Sequence, residues 1–180
     1  NLNEAGGMYG ATIYQKAPII MRHLEALLGE ESFREGLRDY LKAHAFGNAT
    51  WADLIGLLDA RTPVDLVRWS RAWVEEPGRP AIETVLDIKD GRVARLAFRQ
   101  SDSWKRSRVW PQQLRVAIGD PASERILTVE MTGREVEVPQ MTGAKAPRYV
   151  LPNGAGWAYG GFTLDKTTLA WLMANLPDVA

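Results

Sequence analysis

The sequence of 180 residues contains no cysteine. That removes disulfides, thiolate zinc sites, iron–sulfur clusters and a cysteine nucleophile together. It does not fix a compartment, because a cytosolic and an exported bacterial protein can both lack the residue. Histidine is scarce, with 2 in all. Neither sign of charge is in surplus, since 22 Lys and Arg balance 22 Asp and Glu. A nucleic-acid binder normally carries a basic excess, so that class is set aside. The same balance gives no electrostatic handle for an anionic membrane. No apolar run approaches the roughly 20 residues of a membrane-spanning helix. The stretch from Asn1 to Gly7 has neither the basic start nor the apolar core of a secretory signal. It reads as sequence from the middle of a longer protein.

What is present suffices for a folded core. Hydrophobic residues make up 46% of the chain, and the length accommodates one large domain or two small ones. The first half has helical spacing. Ile20, Leu24, Leu27 and Leu28 form one apolar stripe, and Phe33, Leu37, Tyr40, Leu41 and His44 form a second. Gly29 separates the two, and Gly47 is the expected stop of the second. Thr50-x-x-Asp53 and Thr62-x-x-Asp65 both have the form of a capping box, the latter with Pro63 at the first helical position. The stripes that follow them are Trp51, Leu54, Ile55, Leu58 and Leu66, Trp69, Ser70, Trp73. Four helices are therefore expected between Ile13 and Glu76.

Pro77-Gly78-Arg79-Pro80 ends that pattern, and the period becomes two. Ile82, Thr84, Leu86 and Ile88 face Ala94, Leu96 and Phe98 across Asp90-Gly91, a hairpin signal. A two-residue turn sets Leu86 opposite Arg95. An odd loop sets Leu86 opposite Leu96 and Thr84 opposite Phe98, which keeps one apolar face. The expectation is an odd loop of three residues with a bulge at Gly91. Further strands are expected at 113–119, 125–131, 135–138 and 148–151, then a helix over 164–176 with Asp165 as its N-cap. The fold class is α+β: about four helices, a small antiparallel β-sandwich and a short C-terminal helix.

No self-contained catalytic motif is visible. His23 and His44 lie on different helices, so they cannot be the pair of an H-E-x-x-H zinc site. His44 suits a helix C-terminus, whose partial negative charge favours it; His23 is expected at the surface or an interface. There is no Gly-x-Ser-x-Gly elbow and no phosphate-binding P-loop, and the glycine-rich stretch 156–161 is expected to be a loop. Trp104 and Trp110 flank Lys105, Arg106 and Arg108, a pattern that can stack on bases or sugars. The zero net charge and the β-loop setting favour core anchoring of these tryptophans.

One ordered set is more specific. Tyr14-Gln15-Lys16-Ala17-Pro18 leads an apolar helix, followed by Leu28-Gly29-Glu30, Phe33, Gly36, Tyr40, Asn48-Ala49-Thr50-Trp51-Ala52-Asp53-Leu54, then Trp69, Trp73 and Gly78-Arg79-Pro80. This closely resembles the second half of the catalytic domain of the aminopeptidase N family, zinc metallopeptidases of the gluzincin type. Ala17-Pro18 departs from the Gly-Ala that many members carry, a change that the first turn of a helix tolerates.

The resemblance implies three parts. Residues 1–78 would be the C-terminal helical part of the catalytic domain, 79–163 a β-sandwich domain and 164–180 the first helix of a following helical domain. The chain would be a fragment of an enzyme that removes N-terminal residues from peptides. Its zinc, zinc ligands, general base and the glutamate that grips the substrate amine would all lie outside this chain. No metal or cofactor is expected within it. The one catalytic residue that the resemblance carries over is Tyr14, whose hydroxyl would donate to the oxyanion of the tetrahedral intermediate. Lys16 is expected to support local structure or to supply a rim charge, and Tyr9, on proximity alone, to wall the substrate pocket. The implied partners are a peptide substrate, acting through the whole protein, and the rest of the same polypeptide, packed on the helical face. An alternative is a non-catalytic module that holds a sugar or peptide on Trp104, Trp110 and Trp157, with the helices as a docking surface. It requires those tryptophans to be exposed on one sandwich face.

Overall fold

The structure, a computed structural model, describes residues 14, 16–120 and 123–175. The chain divides into two compact units, Asn1–Pro77 and Gly78–Ala180.

The first unit is helical. Helix α1 spans Ala17–Leu28 and α2 spans Glu30–Ala43. Pro18 sits in the first turn of α1, where a missing N–H leaves no helical bond unmade. Gly29 alone joins the two helices, with φ 81° and ψ 151°, a backbone region essentially restricted to glycine. Helix α3 spans Trp51–Asp59. Its capping box forms as expected: the Thr50 hydroxyl accepts from the Asp53 amide at 3.2 Å, and the Asp53 carboxylate accepts from the Thr50 amide at 2.8 Å. At Gly36 a Cβ would lie 2.4 Å from the Leu58 side chain, so this glycine is what lets α2 approach that side chain so closely.

The fourth helix differs from the expectation. Helix α4 covers Leu66–Ser70 and continues as a wider π-helical turn over Arg71–Glu75. Its N-cap is Asp65, whose carboxylate accepts from the Arg68 amide at 2.8 Å. Thr62 caps nothing helical; its hydroxyl accepts from the Val64 amide at 3.2 Å and closes a local turn. Asp59 takes the Leu66 amide at 2.8 Å. The competing local bonds of Thr62 move the helix start past Pro63. The burial of Leu66, Trp69, Ser70 and Trp73 follows the expected stripe.

Three other expectations for this unit are corrected. His23 is buried, not at a surface, with its ring edge-on to Trp73 at 5.2 Å between centroids. The apolar stripe of α2 is not a core face: Gly36 is the buried residue of that helix and Leu41 is exposed. Finally, the residue of α2's exit turn with positive φ is Phe46 at 60°, not Gly47.

The second unit is two packed sheets. Its strands are β1 (Pro80–Lys89), β2 (Arg92–Asp102), β3 (Gln112–Gly119), β4 (Glu124–Met131), β5 (Glu135–Glu137), β6 (Tyr149–Leu151) and β7 (Gly161–Thr163). One sheet has the order β5-β2-β1-β7 and the other β4-β3-β6. Ile82, Leu96, Phe98, Leu114, Val116 and Ile118 are among the buried residues of their common core. Each such side chain contributes about 1.5–3 kcal/mol when taken out of water. All pairings are antiparallel except β1 with β7, a parallel strand that the glycine-rich loop reading does not foresee.

The hairpin keeps the expected face by a different device. Leu86 pairs with Leu96 and Thr84 with Phe98. The turn itself is nevertheless two residues long, closed by Lys89 opposite Arg92, so the three-residue loop is wrong. Asp90 and Gly91 both have positive φ, 51° and 70°, as a primed turn requires. Parity is restored further along, where the register shifts between Asp87 and Ile88 and leaves Ala94 as the extra residue. Val93 and Leu96 are accordingly both buried.

Two anchors complete the unit. Asp102 ends β2 with its carboxylate out of solvent, accepting from the Trp104 amide at 2.9 Å and from Arg106 Nε at 2.6 Å. Helix α5, Lys166–Asn175, starts at Asp165 as expected, which accepts the Thr167 and Thr168 amides at 3.0 Å. The Thr168 hydroxyl in turn accepts from the Val150 amide at 2.8 Å, and Tyr149 stacks on Trp171 at 4.7 Å. The helix is thus seated on β6, within the same compact unit as the sheets.

Candidate functional site

Tyr14 stands three residues ahead of α1 and is 72% exposed. Its phenol does not fill the helical core. Tyr9 lies outside the described residues. Lys16, at the N-cap of α1, is half-buried, and that burial lowers its pKa because the charged form is the one that loses hydration.

Beside Lys16 is an open apolar pocket of about 180 Å³, lined by Lys16, Ala17, Ile20, Met21, Trp51 and Val74. Its walls come from three helical segments that the sequence spaces apart but whose apolar stripes converge. Trp51 is fixed there by its indole N–H, which donates to the Ser70 hydroxyl at 2.8 Å, and Ser70 donates to Glu75 at 3.1 Å. Sequence reading assigns Trp51 and Ser70 to separate stripes and does not foresee this bond. The wide turn that ends α4 brings Glu75 within reach of Ser70.

The two histidines do not combine. His23 is buried on Trp73, while His44 is the C-cap residue of α2, with its ring 5.1 Å from that of Tyr40. Among the described residues, no group of three or more His, Asp or Glu side chains could hold a metal ion. Nor is any helix among them long and apolar enough to cross a membrane.

The tryptophans of the β unit divide. Trp110 is 1% exposed and belongs to the core, as anchoring predicts. Trp157 is partly buried, with the Arg115 guanidinium 5.4 Å from its ring. Trp104 is 60% exposed and carries Arg106 over its ring at 4.6 Å. A sugar platform would need all three exposed on one face, so the binding-module alternative loses its motive.

Comparison with known proteins points one way. Residues 1–73 match the peptidase family M1 domain. Aminopeptidase N of Streptomyces lividans is 33% identical over 181 residues, which is 92% of this chain and 21% of that protein. Tricorn protease-interacting factor F2 of Thermoplasma volcanium is 31% identical over 63% of this chain and 14% of its own length. Among solved structures, Legionella pneumophila aminopeptidase A in complex with aspartic acid superposes with a TM-score of 0.64 at 19% identity, over 93% of this chain and 20% of that one. That last likeness is one of fold. The chain spans about a fifth of the length of the aminopeptidase N relative it matches over most of its own. Residues 1–73 thus resemble the peptidase family M1 domain, and the chain is similar to aminopeptidase N over most of its own length.

Proposed function

We propose that this chain is part of a zinc-dependent aminopeptidase that removes N-terminal residues from peptides, and that Tyr14 is its contribution to the chemistry. The observation that carries the assignment is the exposed Tyr14 at the head of α1, in a segment that matches the family M1 domain. A phenol keeps its proton at neutral pH and can donate it in a hydrogen bond toward an oxygen that is gaining negative charge. Such a donor lowers the barrier because it strengthens as the charge develops.

The described residues do not fit a zinc site. The family resemblance assigns zinc ligands, general base and amine anchor to the rest of the whole protein. On this reading the 180 residues alone neither bind stoichiometric zinc nor cleave peptides. The remaining polypeptide would pack on the helical face that leaves Leu41 exposed.

The test is Tyr14→Phe in the whole protein. Turnover of an N-terminal aminoacyl substrate is expected to fall about 100- to 1000-fold, with zinc content unchanged. Undiminished turnover, or one tightly bound zinc per isolated chain, would overturn the proposal.

A further inference from the structure

The turn between α2 and α3 holds a large apolar side chain in water. Phe46 is fully exposed, and its φ of 60° lies in the left-handed region, which residues bearing a Cβ seldom adopt. The turn is not loose. The Ala45 amide donates to Lys42 O at 3.4 Å and the Gly47 amide to His44 O at 3.0 Å. Tyr40 packs on the His44 ring at 5.1 Å and donates its hydroxyl to Thr50 O at 3.3 Å. The capping box of Thr50 and Asp53 fixes the far end. Leu41, in the last turn of α2, is exposed as well. Scattered exposed apolar residues are ordinary, but a rigidly held aromatic on a strained backbone is not. It is fully exposed among the described residues, and it has the form of an interface anchor, an aromatic that seats in a pocket of its partner.

The occupant follows from two observations. The chain spans 21% of the aminopeptidase N relative that it matches over most of its own length, so most of such a polypeptide lies elsewhere. Phe46 is flanked by Ala45 and Gly47, with Ala49 close behind, so the tip of the turn is apolar, with Lys42 at its start. We infer that Phe46 is an anchor that seats in an apolar socket on the remaining polypeptide of the same protein. The inference rests on the proposal that this chain is part of a longer enzyme.

The experiment compares the full-length wild type with Phe46→Gly and Phe46→Leu by amide hydrogen exchange over residues 44–49, alongside an aminopeptidase assay. Glycine suits a positive φ, so that variant does not endanger the turn. Exchange in the wild type is expected to be at least about tenfold slower than in Phe46→Gly, with Phe46→Leu close to wild type. Active full-length enzyme whose residues 44–49 exchange as fast as the glycine variant overturns the anchor and leaves the enzymatic reading standing. Protection without aminopeptidase activity supports the anchor and sinks the enzymatic reading instead. Protection that grows with protein concentration, together with a dimer that Phe46→Gly dissolves, overturns the inference in favour of a second copy as occupant.

Discussion

Asp102 is the end of β2, yet its carboxylate sits out of solvent beneath Arg106 and the Trp104 amide. The Arg106 hydrogen bond, more than any other cause, holds its pKa below the usual aspartate range. A folded pKa below the unfolded one means that the native state binds fewer protons, so the group adds stability at neutral pH. That stability is complete above about pH 4, the unfolded value, and is lost as pH falls through it toward the depressed folded value. Thermal unfolding measured from pH 7 to pH 3 should show a falling midpoint, and Asp102→Asn should lower the midpoint at pH 7 and flatten that acid limb. An equally steep acid limb in the variant would remove Asp102 from the account. At this scale the sequence is uneven. Tyr14 is proposed through the residues around it, because one ordered motif spans its whole neighbourhood. His23 does not, because helical spacing leaves a polar residue beside the stripe undecided between water and core, and the Trp73 ring that buries it comes from a distant part of the unit.

Elements were legible where one local signal dominated. Thr50 and Asp53 form their capping box because nothing nearby competes for either side chain. Thr62 and Asp65 have the same spacing, but Thr62 finds the Val64 amide first, and the helix begins later. The hairpin is a subtler case. The demand for one apolar face correctly fixes Leu86 opposite Leu96, but a face constrains parity, not where the odd residue is placed. Asp-Gly suits a two-residue turn so well that the extra residue moves to Ala94. It follows that deleting Ala94 should leave the pairs Leu86–Leu96 and Thr84–Phe98 intact, as cross-strand nuclear Overhauser contacts would show. The midpoint of thermal unfolding should move by no more than about 4 °C. Loss of those pairs would mean that the bulge sets the register and does not merely absorb it. Strand β7 is invisible in sequence because three residues carry too little period, and its parallel pairing with β1 is set by a long-range return of the chain.

At the scale of the whole molecule, the α+β class and the break near Pro77 are readable because a change of hydrophobic period survives any error in a single boundary. The site is less readable than the fold, since its pocket joins α1, Trp51 and Val74 through packing that spacing alone does not specify. One junction has consequences beyond its size. Helix α1 has 12 residues and is tied to α2 through Gly29 alone. It is about 18 Å long and carries Tyr14 beyond the end away from Gly29, and its buried Ile20, His23 and Leu24 hold its direction together with that joint. A tilt of the helix by about 5° moves that end by about 1.6 Å, and a misplacement of about 1 Å can cost a reaction on the order of 100-fold. On the proposed role of Tyr14, Gly29→Ala, which forces the joint out of its glycine-only geometry, should lower turnover in the whole protein by about that factor while leaving metal content and helical circular dichroism unchanged. The proposed aim of a hydroxyl at one end of the helix thus depends in part on a residue without a side chain at the other.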